Sequence, residues 1–231
     1  MKIALIGYGK MGQMIEKLAT QKEHQIVSRV TSADCEEWKN IHKAEVCIEF
    51  STPESVLENL EKICKHGLPT VIGTTGWYDK LSQLKNLIDK YQVGVLYSPN
   101  FSLGIHLFLK MIRHAAQLMA YFPEYAAAGI EYHHHQKLDS PSGTAKKLAQ
   151  VLNEELKLNP PLSFSSVRCG TFPGTHTVLF DTFADTLSFT HEARSREGFA
   201  EGALRAAEWL LDKKGIYTFE ECLNLEKFLC H

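Results

Sequence analysis

The sequence predicts an α/β protein in which a doubly wound parallel sheet is joined to a second, α+β domain. Up to about residue 97, short apolar runs alternate with segments whose apolar residues recur at helical spacing, as in right-handed strand–helix–strand units. A long apolar helix is predicted from about Ser102 to Met119. Four strand candidates follow it, several with period-two alternation and β-branched residues. We expect these strands to form a four-stranded mixed sheet of their own.

The elements of the first domain follow from the spacing of its apolar residues. After the first strand and a glycine-rich turn, Met14, Ile15 and Leu18 recur at helical spacing. Strands are predicted at Lys2–Ile6, Gln25–Val30, Ala44–Phe50, Pro69–Ile72 and Val93–Tyr97, and further helices at Cys35–Ile41, Glu54–His66 and Lys80–Tyr91.

The remaining elements are predicted in the same way. The four strands of the second sheet are expected at Tyr125–His133, Ser163–Gly170, Thr175–Phe183 and Thr186–His191. A helix at about Thr144–Leu156 lies between the first two of these strands, and another at Phe199–Leu211 follows the last. The chain then turns at Lys214-Gly215 and enters a short helix near Phe219–Leu223.

The composition favours a globular protein that acts on a small molecule. Of the 231 residues 44% are hydrophobic and 23% charged, and the net charge of −2 provides no basic field for nucleic acid or anionic lipid. The opening MKIALIGYGK is too short an apolar run for a signal-peptide core, and no later run is long enough to span a membrane. The six cysteines include no CxxC pair. We therefore expect a cytosolic protein.

The turn Gly7-Tyr8-Gly9-Lys10-Met11-Gly12 matches G-x-G-x-x-G between a strand and a helix. Small residues there let the backbone approach a pyrophosphate, whose charge meets the free N–H groups at the helix start. An ordinary glycine-rich turn is the alternative, but the following strand–helix units favour a Rossmann-like dinucleotide site.

Three other loops are expected at the same edge of the sheet, because ligands in this fold lie outside the carboxyl ends of the strands. These loops are Ser51-Thr52, Gly73-Thr74-Thr75-Gly76 and Ser98-Pro99-Asn100-Phe101. The second strand lacks the expected ribose-binding acid, since Asp34 lies past the contact point. Arg29 and the Thr31 and Ser32 hydroxyls could accommodate a 2′-phosphate, or Arg29 could be a surface charge. NADH and NADPH both stay open.

The segment EYHHHQKLDSPSGTA, residues 131–145, concentrates ionisable groups. On a strand, Glu131 and His133 point to one face and Tyr132 and His134 to the other, so adjacent histidines cannot all reach one metal ion. Beyond the strand, Ser142 or Thr144 can cap a helix whose free N–H groups, with Lys137, suit a carboxylate. An ordinary N-cap beside a surface lysine is the alternative.

Taken together, these motifs resemble the 4-hydroxy-tetrahydrodipicolinate (dihydrodipicolinate) reductase family. The matching segments, which extend from about Gly7 to Tyr217, are G-x-G-x-M-G, GTTG, SPNFS, E-x-H-H-x-x-K-x-D-x-P-S-G-T-A, G-x-H-x-V-x-F and F-A-x-G-A. The resemblance implies a cytosolic enzyme of diaminopimelate and lysine biosynthesis. Such an enzyme uses NADH or NADPH to reduce a cyclic dicarboxylate, and it is usually a homotetramer whose second-domain sheets pack together.

The resemblance also implies the site residues. His133 matches the general acid and Lys137 the lysine that assists proton donation, while His134, Gly143 and Thr144 match contacts to substrate carboxylates. Cofactor contacts are implied for Gly7, Tyr8, Gly9, Lys10, Met11, Gly12, Gly73, Thr74, Thr75, Ser98, Pro99, Asn100 and Phe101. The implied domains are 1–102 with 197–231, which binds the dinucleotide, and 103–196, which binds substrate and forms the tetramer.

Two other classes of protein remain open at this stage. A metal-dependent hydrolase would use His133, His134, His135 and His176 as ligands, although the zinc motif HExxH is missing. A non-catalytic nucleotide sensor would need only the glycine turn. No metal is expected in the reductase, and the roles of Arg29, Arg168, His176 and Arg196 are left undecided.

Overall fold

The computed structural model describes residues 1–33 and 36–225 and divides into two compact units. Unit 1 comprises Met1–Ser102 and the chain from Glu197 onward, and unit 2 comprises Leu103–Arg196. The helices and strands run in the order β1 Lys2–Ile6, α1 Lys10–Gln21, β2 Gln25–Val30, β3 Val46–Glu49, α2 Val56–Lys65, β4 Thr70–Ile72, α3 Leu81–Tyr91, β5 Gly94–Tyr97, α4 Leu103–Met119, β6 Ala126–His133, α5 Gly143–Leu156, β7 Ser165–Arg168, β8 Thr175–Asp181, β9 Thr186–Glu192, α6 Glu197–Leu210, β10 Gly215–Thr218 and α7 Phe219–Leu223.

The predicted fold class is confirmed. Unit 1 contains a six-stranded parallel sheet in the order β10-β5-β4-β3-β1-β2, and unit 2 contains a four-stranded mixed sheet in the order β7-β6-β8-β9. Strand β1 lies between β2 and β3, so the strand order reverses direction there, and this is the point where open α/β sheets bind ligands.

Two local predictions need correction. The helix expected at Cys35–Ile41 is a 3-10 helix over Glu36–Lys43, and Asp34 and Cys35 lie outside the described residues. The turn predicted at Lys214-Gly215 leads into a strand that was not predicted, Gly215–Thr218, which pairs in parallel with β5. Its four residues are half-buried, which leaves no alternation of buried and exposed positions to reveal a strand.

The core of unit 1 is formed by apolar residues of the sheet and of α1 and α6. Ile3 and Leu5 of β1 are fully buried against Ala203 and Ala207 of α6 and Ile15 of α1. The small residues of α6 let this helix lie close to the loop after β5. A Cβ on Gly202 would lie 1.8 Å from the carbonyl oxygen of Phe101. Burial of this apolar surface stabilises the sheet edge that carries the glycine turn.

Unit 2 packs α4 and α5 against one face of its sheet. Phe108 and Ile112 of α4 and Leu148 of α5 share a core with Val178 and Phe180 of β8. The alternation of β6 places Glu131 and His133 on the buried face, as the strand pattern predicts. Within the described part of the chain, no helix is both long and apolar enough to cross a membrane.

Candidate active site

The glycine turn of unit 1 is shaped for close approach to a ligand. Gly7 has φ +91, and a Cβ there would lie 2.2 Å from the carbonyl oxygen of Phe50, so a side chain is excluded. A Cβ on Gly12 would lie 2.5 Å from the oxygen of Gly7. Gly9 precedes α1, has open space around its Cβ position and is an N-cap without a side-chain hydrogen bond. The N–H groups of the first turn of α1 therefore keep their capacity for an anion.

The other residues of the turn have separate environments. Lys10 is exposed, and Met11 packs against the core of unit 1. The hydroxyl of Tyr8 donates a hydrogen bond to Glu16, which raises the pKa of Tyr8. Arg29 also contacts Glu16, with its Nε 3.0 Å from Oε2, and this hydrogen bond raises the pKa of the guanidinium. Arg29 is thus held in an ion pair.

A buried carboxyl group organises two of the loops at the sheet edge. Glu49, the last residue of β3, is fully buried, and its Oε2 accepts a hydrogen bond from the Thr74 hydroxyl at 2.6 Å. Its Oε1 accepts from the Ser51 N–H at 3.2 Å. Burial raises the pKa of Glu49. Sequence analysis did not single out this residue, because its partner Thr74 lies 25 positions away.

The loops after β4 and β5 contain the remaining cofactor candidates. A Cβ on Gly73 would lie 2.1 Å from the ring of Phe50, and Thr75 is exposed. Ser98 is buried and donates to the Asn100 carbonyl at 2.7 Å, Pro99 is exposed, and the side chain of Phe101 is 2% exposed in the core. Strands β1, β3, β4 and β5 are parallel neighbours, so their carboxyl-end loops share one edge of the sheet.

The second candidate site, in unit 2, is built around Glu131. This carboxylate is completely buried on β6 and accepts three hydrogen bonds, from the Ser142 N–H at 2.9 Å, the Ser166 hydroxyl at 2.6 Å and Arg168 Nη2 at 3.1 Å. Burial alone would raise the pKa of Glu131, but the hydrogen bonds from Ser142, Ser166 and Arg168 lower it to about 2. The group is therefore ionised at neutral pH.

Two imidazoles face this carboxylate. Oε2 of Glu131 lies 3.3 Å from Nδ1 of His133 and 3.6 Å from Nε2 of His176, and the two rings meet edge to face at 5.2 Å. Burial lowers the pKa of His133, an effect that Glu131 opposes and that Lys137 reinforces. Burial and the charge of His133 lower the pKa of His176 to about 4. Both rings consequently favour the neutral form at pH 7.

The loop after β6 places a lysine and a helix start around one carboxylate. Lys137 Nζ lies 2.5 Å from Asp139 Oδ1, and this contact, with a hydrogen bond from the Gly143 N–H, lowers the pKa of Asp139. Ser142 caps α5 by accepting from the Ala145 N–H at 3.2 Å, so the predicted cap is confirmed at Ser142. Gly143 has open space around its Cβ position. This arrangement can bind a carboxylate.

The structure brings together only some of the predicted residues of unit 2. His134 and Thr144, at the two ends of the loop between β6 and α5, are half-buried. His135 is exposed, and its Nε2 accepts a hydrogen bond from the Gly170 N–H at 3.1 Å. His176 and Arg168, left undecided from sequence, both contact Glu131, and Arg196 is exposed.

One group within residues 1–33 and 36–225 has the spacing of metal ligands. It consists of Glu131, His133 and His176, whose donor atoms lie within 4.8 Å of one another, and it excludes His134 and His135. The guanidinium of Arg168 already pairs with the same carboxylate, so a second cation there would be repelled. The geometry favours an ion-pair cluster over a metal centre.

Comparisons with known proteins cover both units. The family model described as "Dihydrodipicolinate reductase, N-terminus" matches residues 1–101, and the model described as "Dihydrodipicolinate reductase, C-terminus" matches residues 104–223. The 4-hydroxy-tetrahydrodipicolinate reductase of Christiangramia forsetii is 38% identical over 97% of this chain and 98% of its own. The enzyme of the same name from Staphylococcus carnosus is 37% identical over 97% and 100%.

Solved structures share the fold. Dipicolinate-bound dihydrodipicolinate reductase from Paenisporosarcina sp. TG-14 has a TM-score of 0.75 and 24% identity, covering 95% of this chain and 98% of its own. An amine dehydrogenase from Mycobacterium smegmatis has a TM-score of 0.61 and 9% identity over 95% of both chains.

Proposed function

The chain belongs to the dihydrodipicolinate reductase family, and from that membership we propose that it reduces 4-hydroxy-tetrahydrodipicolinate to tetrahydrodipicolinate in diaminopimelate and lysine biosynthesis. The protein is accordingly an oxidoreductase with a nicotinamide cofactor. The observation that carries the proposal is the match of the family models to both units over nearly the whole chain. The hydrolase and sensor alternatives have no comparable support.

The residues of unit 1 fit the cofactor. The uncapped first turn of α1 and the open space at Gly9 suit a pyrophosphate. The loops that contain Thr75 and Asn100 offer hydroxyl and amide groups for the ribose and the carboxamide. When bound, the reduced nicotinamide supplies the hydride. Arg29 is paired with Glu16, and either NADH or NADPH is compatible with that pair.

The residues of unit 2 fit a dicarboxylate. We propose that Lys137, the N–H of Gly143 and the Thr144 and His134 side chains hold the substrate carboxylates. Lys137 and Gly143 already hold a carboxylate, that of Asp139, so the donors are arranged for such a group. Charge-assisted hydrogen bonds of this kind contribute about 1.5–3 kcal/mol each. The substrate carboxylate would replace Asp139 beside Lys137.

We propose that His133 is the proton donor. Hydride addition to an unsaturated ring leaves electron density on the neighbouring carbon, which needs an acid with a pKa near neutrality. A histidine meets this requirement, and the carboxylates of a bound substrate would oppose the lowering of the His133 pKa that burial causes. Lys137 assists by holding the substrate and by its charge.

We further propose a cytoplasmic homotetramer assembled through the sheets of unit 2. Cys47, Cys64, Cys169 and Cys222 are free, as is usual in a reducing compartment, and Cys230 lies with Cys35 outside the described residues. On the sheet face opposite α4 and α5, Ile130, Tyr132 and Leu179 are half-buried and Val167 is exposed. A second sheet packed on this apolar face would bury it.

The test is a coupled assay in which dihydrodipicolinate synthase supplies the substrate and oxidation of NADH or NADPH is followed. We expect oxidation that requires the synthase product and is insensitive to chelators. Stoichiometric bound zinc with chelator-sensitive activity would instead support a hydrolase, and cofactor binding without turnover would support a sensor.

Two variants test the proposed roles in the same assay. His133→Gln and Lys137→Ala should each lower turnover by at least about a hundredfold, the low end for general acid–base groups, while cofactor affinity in unit 1 is retained. Near-native rates in either variant would contradict the assignment.

A further inference from the structure

Glu131 has an arrangement that the proposed function does not yet use. All three of its hydrogen-bond donors, the Ser142 N–H, the Ser166 hydroxyl and Arg168 Nη2, reach the same oxygen, Oε1. The other oxygen, Oε2, is the one that faces Nδ1 of His133 at 3.3 Å. The carboxylate is thus fixed through one oxygen and offers the second to the imidazole.

The protonation states follow from this contact. Oε2 of Glu131 and Nδ1 of His133 are both buried, and neither has a hydrogen-bond partner, although they lie 3.3 Å apart. A carboxylate held by a guanidinium and two further donors is an acceptor only, so in a hydrogen bond between these two atoms the His133 nitrogen is the donor. In the neutral ring the proton then lies on Nδ1, and Nε2 has the free lone pair. Gly174 lies beside Nε2, and a Cβ on that glycine would lie 3.0 Å from this nitrogen, so the missing side chain leaves space next to Nε2.

The charges around His133 come from four elements. Arg168 on β7 and Lys137 in the loop after β6 oppose a positive charge on the ring, while Asp139 in that loop and Glu131 on β6 favour it. His176 on β8 faces the ring and disfavours a second charge. Glu131 is the buried anion of this set, which makes it the group that offsets the two cations.

We propose that Glu131 is a positioning residue for His133: its carboxylate holds the Nδ1–H, so that Nε2 delivers the proton to the substrate. The inference rests on the proposed role of His133 as proton donor. The imidazolium loses its Nε2 proton to the substrate carbon, the neutral ring keeps its own proton on Nδ1, directed at the ionised Glu131, and solvent returns a proton to Nε2.

The first test is a nitrogen NMR titration of the wild-type protein with labelled histidine, using His133→Gln to assign the ring. We expect Nδ1 to carry the proton in the neutral form of His133. A neutral ring protonated on Nε2 would overturn the proposal, and this measurement requires no variant of Glu131.

The second test is Glu131→Gln, with Glu124→Gln as a control that removes one exposed carboxylate of unit 2. We expect Glu131→Gln to lower the pKa of His133 and to move the alkaline fall in kcat/KM to lower pH, because a neighbouring negative charge is lost. We also expect kcat to fall at least about tenfold with little change in KM, because the ring loses its orientation. Glu131→Asp, which keeps the charge, should restore the pH profile in part. A folded Glu131→Gln with wild-type kcat and pH profile would overturn the proposal.

The two levels of inference fail separately. If the wild-type protein does not oxidise NADH or NADPH with the synthase product, the proposed function is wrong, whatever the protonation state of His133. If turnover is present and the NMR titration shows the Nε2 proton, the function stands and the role of Glu131 is wrong.

Discussion

Removal of His176 should make unit 2 more resistant to acid. The side chain is 4% exposed, and burial together with the charge of His133 lowers its pKa from the ordinary 6.5 to about 4. Because the folded state prefers the neutral ring, this group contributes stability above pH 6.5 that is lost as the pH falls toward 4. Between about pH 7.5 and about pH 4.5 the loss is about 2.5 kcal/mol.

The variant that tests this is His176→Gln, whose amide can still reach the Ser142 hydroxyl that lies 3.2 Å from the His176 Nε2. The free energy of unfolding is measured by urea denaturation and circular dichroism at about pH 7.5 and about pH 4.5. We expect the wild type to lose about 2.5 kcal/mol more than His176→Gln between these two pH values. The exposed His66→Gln provides the control and should follow the wild type. Parallel pH dependences of wild type and His176→Gln would refute the reasoning.

Three further outcomes are expected. Gly7→Ala, which forces a Cβ to 2.2 Å from Phe50 O at a positive φ, should lower cofactor affinity in a fluorescence titration at least about tenfold, and unchanged affinity would contradict the role of the turn. Asp139→Asn should lower KM for the substrate with little change in kcat, because Lys137 loses its competing carboxylate. An unchanged or higher KM would count against the proposal that a substrate carboxylate replaces Asp139 beside Lys137. Leu179→Asp should reduce the particle mass in light scattering while the circular dichroism is retained, and an intact tetramer would contradict the proposed interface.

The sequence predicted best where local rules decide the structure. The bounds of β1 and β2 agree with the predicted strands. Each strand contains β-branched residues and is followed directly by turn residues, Gly7 after β1 and Thr31-Ser32 after β2. The cap at Ser142 could be predicted because it depends on a local hydrogen bond: the Ser142 hydroxyl accepts from the N–H of Ala145, three positions later. Contacts between distant residues could not be predicted: Glu131 is fixed by Ser166 and Arg168, which lie 35 and 37 positions away.

The two carboxylates of the candidate site in unit 2, those of Glu131 and Asp139, differ in a way that determines which of them a substrate can replace. Glu131 is 0% exposed and its Oε1 accepts three hydrogen bonds, so its departure would break all three and leave the half-buried Arg168 without its ion-pair partner. Asp139 has a side chain 47% exposed, and water can solvate it when it leaves Lys137. We therefore expect a substrate carboxylate to exchange with Asp139, and we expect the pair of Glu131 and Arg168 to stay in place and to keep His133 oriented as proposed.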